Sequence, residues 1–93
     1  MSFEKIHIDD TEWTLIGDAV TSITFKNVGQ FAVYINFNSS NTAPSEDVGV
    51  VYGPLQGELK RTCTDLTYKA TPNYVFARTI SKTGAIVVET DGI

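Results

Sequence analysis

One histidine, His7, and one cysteine, Cys63, are the only imidazole and thiol in the 93 residues. A nucleophilic Cys–His pair needs the two side chains within hydrogen-bond reach and a third group to orient the imidazole, and no local signature for such a pair surrounds either residue. Cys63 therefore reads as a small buried hydrophobe, and a lone cysteine closes no internal disulfide. A zinc centre draws about four nitrogen or sulfur ligands, more than this chain carries. The eleven acids offer other chemistry: a carboxylate pair for glycoside hydrolysis, or loops that converge carboxylates on calcium. They group in turns and termini, as Asp9-Asp10-Glu12, Glu46-Asp47 and Glu89-Asp91, and match no EF-hand calcium loop, so they read as solvated acidic surface. Gly49, Gly53, Gly57, Gly84 and Gly92 form no phosphate-binding pattern. The expectation is a protein that is not an enzyme, with no catalytic residue, no metal and no cofactor.

Aromatic residues are the remaining candidates. Trp13, Tyr34, Tyr52, Tyr68 and Tyr74 would suit a carbohydrate-stacking platform, but alternation assigns several of them to faces that can be core, and ordinary packing is the favoured reading. Asn38-Ser39-Ser40 matches the glycosylation sequon and reads as chance in a Ser/Asn-rich loop.

The elements that would position these residues are strands. Nine Val, eight Ile and twelve Thr stand against four Leu and one Met, a composition that favours strands over helices. No stretch shows apolar residues at helical spacing, whereas short alternating runs bounded by Gly, Pro, Asn and Asp recur along the chain. The expected strands are Glu12 to Ile16, Thr21 to Phe25, Phe31 to Phe37, Val48 to Tyr52, Gly57 to Thr62, Tyr74 to Ile80 and Ala85 to Thr90. Leu66, Tyr68 and Ala70 alternate in a way that would extend the fifth beyond a bend at Cys63 to Asp65. Thr21 to Phe25 and Phe31 to Phe37 are expected to pair as a hairpin through Asn27-Val28-Gly29-Gln30, whose residues tolerate positive φ. Ser81 to Gly84 reads as a second hairpin connection.

Two apolar faces must bury each other, which predicts an all-β antiparallel sandwich, jelly-roll-like, of seven to eight short strands. Its expected core is Ile23, Phe25, Val33, Ile35, Val75, Ala77 and Val87. Residues 1–10 are either an amino-terminal arm or an edge strand, and 11–93 form a single domain at this length.

Seven basic against eleven acidic residues give a net charge of −4. That leaves no basic face to neutralise phosphates and predicts neither nucleic-acid nor anionic-membrane binding. The longest apolar run, Phe31 to Ile35, is five residues, against the ~20 of a spanning helix and ~7 to 15 of a signal-peptide core. The chain is expected to be neither secreted by that route nor membrane-spanning.

From Ser22 to Thr90 the chain resembles small structural proteins of tailed bacteriophage particles. The matching pieces are Val33-Tyr34-Ile35, Thr42-Ala43-Pro44-Ser45, Val50 to Pro54, Tyr74-Val75-Phe76-Ala77-Arg78 and Thr83 to Glu89. The resemblance implies a β-sandwich virion structural protein, foremost a capsid decoration or cement protein that stabilises the head shell, synthesised in the host cytoplasm and placed on the capsid surface. A tail or fibre accessory protein and a carbohydrate-binding module are the alternatives. Its partners would be the major capsid protein or another virion protein. A domain this small buries only about 60 to 65% of its unfolded-chain surface and leaves sheet edges open, so a homo-oligomer is expected, with a trimer favoured. Candidate partner-binding residues are Phe3, Ile6 and Ile8 in the first segment and Asn41, Pro44, Glu46 and Asp47 in the long polar loop.

Overall fold

The computed structural model describes residues 3–45 and 48–91. Eight strands appear in chain order: β1 (Glu4–Asp9), β2 (Thr14–Gly17), β3 (Ser22–Asn27), β4 (Val33–Asn38), β5 (Val50–Tyr52), β6 (Gly57–Thr62), β7 (Tyr74–Thr79) and β8 (Thr83–Thr90). They form two four-stranded antiparallel sheets, a back sheet in the order β1-β8-β3-β6 and a front sheet in the order β2-β7-β4-β5. This is the jelly-roll strand order, in which every connection except β4–β5 carries the chain from one sheet to the other.

That topology corrects both expected hairpins. β3 pairs with β8 and β6, β4 pairs with β7 and β5, and so β3 and β4 lie in opposite sheets. The same holds for β7 and β8, which the Ile80–Lys82 connection sends to different sheets. Ile23 and Phe25 bury their apolar face against Val33, Ile35 and Phe37 across the sandwich, in one buried cluster, instead of lying beside them. The expected positive φ between Asn27 and Gln30 is absent. Gly29 is required there by close approach instead: a Cβ would stand 3.1 Å from the Gly84 Cα and 3.2 Å from the Ala85 nitrogen.

Six of the seven expected core residues are buried, and Val87 is the exception. Ala85 to Val88 is apolar in both phases of the strand alternation, so sequence alone leaves its register open. Pairing decides it. Ile86 lies opposite Ile6 and Asn27 and is fully buried, while Val87 lies opposite Lys5 and Lys26 and is only half-buried on the outer surface. Leu66 to Ala70 is not a strand. A 3₁₀ turn at Cys63–Asp65 ends β6, and the chain then runs irregularly to β7.

β1 is an edge strand of the back sheet, in register with β8 from Glu4 to Asp9. At the other edge, β6 is broken by a bulge: Lys60 has φ 49°, its N–H donates to Thr24 Oγ1 at 2.8 Å, and the register with β3 slips between Ile23 and Phe25. A bulge of this kind blunts an exposed edge against adding another strand. Beside it, Tyr52 packs edge-on against Phe25 with ring centroids 4.9 Å apart and donates its hydroxyl to Glu58 Oε2 at 3.1 Å. Burial, assisted by the Glu58 carboxylate, pushes that phenol up to about 12.

Candidate functional site

Side chains on neighbouring strands share a face when they are opposite in register. In the front sheet Val33, Ile35, Phe37, Val75 and Ala77 point into the core, which turns Tyr34, Asn36 and Asn38 of β4 and Tyr74, Phe76 and Arg78 of β7 outward. Leu15 joins them opposite Phe76, and Val51 joins them opposite Tyr34. Trp13, one residue before β2, packs against Tyr34 with ring centroids 6.5 Å apart and planes tilted by 52°.

The result is a sheet whose outside carries an aromatic and aliphatic cluster, Leu15, Tyr34, Val51, Tyr74 and Phe76, among Asn36, Asn38 and Arg78. Phe76 lies in this outer row yet is only 3% exposed, while Val51 at the margin is 52% exposed. An antiparallel sheet with one face on the core ordinarily turns polar residues outward. The back sheet mostly does so: Ser22, Thr24 and Lys26 of β3, Lys5 and His7 of β1 and Glu89 of β8 lie on its outer surface, interrupted by the half-buried Val87 and by the exposed Phe3 and Leu59. Strands of four, six, six and three residues, ~3.4 Å per residue and ~4.8 Å apart, make a front face of roughly 310 Å².

Polar groups on the face are few and mostly committed. Arg78, the one charged residue of its outward rows, donates from Nε and Nη2 to the Asp10 carbonyl oxygen at 3.0 and 2.6 Å. No carboxylate stands in those rows, although the chain carries −4. Asn36 donates through Nδ2 to the Val48 carbonyl at 3.0 Å, and its Oδ1 is buried with no hydrogen-bond partner. Leaving such an acceptor unsatisfied costs about 1–3 kcal/mol. Asn38 Nδ2 donates to the Thr42 carbonyl and ties the β4–β5 loop to the same side. A shallow groove lined by Asn36, Asn38, Thr42, Pro44, Val48 and Lys69 thereby continues the face.

The candidate residues read from sequence fall in different places. Phe3 is 60% exposed just ahead of β1, Ile6 is half-buried against the core, and Ile8 is 3% exposed within it. Ile8 is thus occupied by its own domain and unavailable to a partner. Asn41 is exposed and Pro44 half-buried in the β4–β5 loop, whereas Glu46 and Asp47 lie outside the described residues. Of the five platform aromatics, Trp13, Tyr34 and Tyr74 belong to the front face, Tyr52 packs on Phe25, and Tyr68 is fully exposed in the loop before β7. The residues missed were Leu15, Phe76 and Val51. The available signal was Tyr74-Val75-Phe76-Ala77, which is apolar in both phases.

Cys63 is 1% exposed, with its Sγ 4.0 Å from the Val20 carbonyl. Burial, with the Asp91 charge adding to it, pushes the thiol up and away from the reactive thiolate. Asp9 and Asp91 of the acidic clusters are engaged by amides and hydroxyls of the chain itself. Asp9 Oδ1 accepts from the Thr11 N–H, the Thr11 hydroxyl and the Glu12 N–H, and the first of these causes, the Thr11 hydroxyl, holds the Asp9 carboxyl below its usual value. Asp91 accepts from the Thr21 and Ser22 amides and from the Thr21 hydroxyl. Among the described residues no group of three His, Cys, Asp or Glu side chains is placed to hold a metal ion.

Comparison with known proteins returned no matching family model, no matching curated protein and no matching solved structure.

Proposed function

We propose that the chain is a non-catalytic structural protein of a phage virion, foremost a capsid decoration or cement protein that binds the head shell through its front face. The observation that supports this reading is the outward row of Leu15, Tyr34 and Val51, with Trp13 beside it and Phe76 buried among them, on strand rows that carry no carboxylate. An aromatic surface whose strand rows carry no acid suits the buried centre of a protein–protein contact, where aromatics are enriched and acids depleted. At roughly 310 Å² it is less than half the ~800 Å² per partner of a standard stable interface. One such contact is weak, and many copies on a repeating shell make it strong by avidity. The resemblance carried by Thr42 to Ser45, Val50 to Pro54 and Tyr74 to Arg78 leads to the same reading.

A carbohydrate-binding module is the second reading, and the Trp13–Tyr34 ring pair favours it. Those rings are half-buried and tilted onto each other, so they offer a sugar less open π-face than a stacking platform does. Tail or fibre attachment is the nearest variant of the leading reading.

The test is co-sedimentation of the chain at micromolar concentration with expanded head shells, assembled without it from the genome that encodes it. Saturable binding that Val51→Asp abolishes, with an unchanged circular dichroism spectrum, is the expected result. No binding to shells, or saturable binding on a glycan array, overturns it.

A further inference from the structure

A groove of about 770 Å³ runs over the start of β8 on the outer surface of the back sheet. Its floor is made of small residues, Gly84 and Ala85; Lys5 and His7 stand on one wall, and Phe31 and Lys82 close the other side. Lys82 Nζ is held 5.9 Å from the centre of the Phe31 ring. Lys26 lies in the same outward row as Lys5, with Val87 between them. Neither the Lys5 nor the Lys82 ammonium group forms a salt bridge among the described residues, while the Lys82 N–H holds the Asp10 carboxylate, donating to Oδ2 at 3.0 Å. Asp9, the one acid lining the groove, is committed to Thr11 and Glu12.

The opposite end of the sandwich has the opposite sign. The pairing of Ser22 with Thr62, the bond from Val20 N to the Asn73 carbonyl and that from Cys63 N to the Thr21 carbonyl gather residues 18–22, 62–65 and 90–91 there. Asp18, Asp65 and Asp91 all lie on these segments and all are exposed. The groove lies at the other end, where Asp9 pairs with Thr83 and β8 begins. A chain of net charge −4 thus gathers Lys5, Lys26 and Lys82 along the groove, beside the hydrogen-bonded carboxylates of Asp9 and Asp10, and Asp18, Asp65 and Asp91 at the other end, beside Lys60.

We propose that the groove receives the acidic end of a second copy of this chain, giving a head-to-tail contact. Complementary charges at opposite ends of one molecule specify a heterologous interface, which closes into a ring when its rotation permits and otherwise propagates. Such a contact uses neither the front face nor the blunted β6 edge, so a self-associated chain keeps its aromatic surface free for the shell. The inference supplies the self-association within the coat reading but stands on separate residues. Val51→Asp, which tests that reading, leaves self-association as in the wild type.

Sedimentation equilibrium of the intact chain in about 20 mM and about 1 M salt tests it, because the screening length falls to ~3 Å at the higher value. The expected result is a mass above the 10.2 kDa monomer at low salt only. Lys5→Glu/Lys82→Glu and, separately, Asp18→Lys/Asp65→Lys should each weaken association by at least about tenfold. An equimolar mixture of the two variants should form a one-to-one complex, because the reversed groove now faces a reversed tip. A wild type that is monomeric at low salt, variants that associate like the wild type, or a mixture that stays monomeric overturns the proposal. Binding of a DNA fragment by a monomeric chain, lost in Lys5→Glu/Lys82→Glu, overturns it in favour of a nucleic-acid groove.

Discussion

Asn27 and Phe31, four residues apart, are joined by a hydrogen bond from Asn27 Nδ2 to the Phe31 carbonyl oxygen at 2.9 Å. Asn27 is wholly buried, and its amide also donates to the Tyr52 carbonyl at 3.3 Å and accepts the Gly29 N–H at 3.0 Å. One side chain thus satisfies three backbone groups where the chain leaves the back sheet for the front. In a hairpin those groups would have been paired by the neighbouring strand.

Asn27→Leu should therefore destabilise the fold by about 2–4 kcal/mol, since its shape is nearly kept while buried carbonyl and amide groups lose their partners. Urea denaturation followed by Trp13 fluorescence measures this. A loss below about 0.5 kcal/mol would mean that water replaces the amide without cost and that the side chain does not hold the arch.

Ile86 and Val87 differ by one position and by a whole sheet thickness. Ile86→Ala should cost about 2–5 kcal/mol, as truncations in a packed core do, and Val87→Thr should fall within about 0.5 kcal/mol because that side chain shares the outer surface with Lys5 and Lys26. Equal losses at the two positions would place β8 in the other register.

Gly57 pairs with Lys26 where β6 begins, and a Cβ built on it would lie 1.9 Å from the Phe25 carbonyl oxygen. Backbone that close cannot yield without opening the β3–β6 pairing. Gly57→Ala should lower the urea midpoint sharply, whereas Gly53→Ala, whose nearest obstacle is the flexible Gln56 side chain at 3.2 Å, should lower it little. The comparison fails if Gly57→Ala is the milder of the two.

Asp91 fastens the end of β8 to the β2–β3 turn. The Thr21 hydroxyl first, and then the Ser22 and Thr21 amides, hold its carboxyl below the usual 3.8. A carboxylate lowered on folding contributes stability that is present above its unfolded value and is lost as pH falls through the folded one. The wild type should therefore lose stability progressively below about pH 4. In Asp91→Asn this part of the acid slope should be missing, and the urea midpoint near pH 6 should be lower. Parallel midpoint curves for the two proteins between pH 6 and pH 2 would show that the contact contributes nothing.

Much of the architecture was legible in the residues themselves. Ile23 and Phe25 alternate with Thr24 and Lys26, and Val33, Ile35 and Phe37 alternate with Tyr34 and Asn36, so strand positions and inward faces follow from a period of two. The polar stretch after Asn38 and the break at Gly53-Pro54 mark chain reversals by their turn chemistry alone. Period two states which face a residue takes, but not which strand lies beside it. A hairpin turn and an arch between sheets present the same short polar segment to local reading, and only the burial of β3 against β4 across the core decided between them. Where both phases are apolar, as at Ala85 to Val88, even the face was open, whereas Val75 and Ala77 took the inward face expected of them. Pairing with Lys5 and Lys26 turned Val87 outward, and pairing with Leu15 and Asn36 placed Phe76 at the centre of the outer front face. The lysines of the groove and the acids of the opposite end were likewise scattered charges in sequence. Lys5 and Lys82, or Asp18 and Asp91, are distant along the chain and come to one end of the sandwich only because long-range strand pairing puts them there.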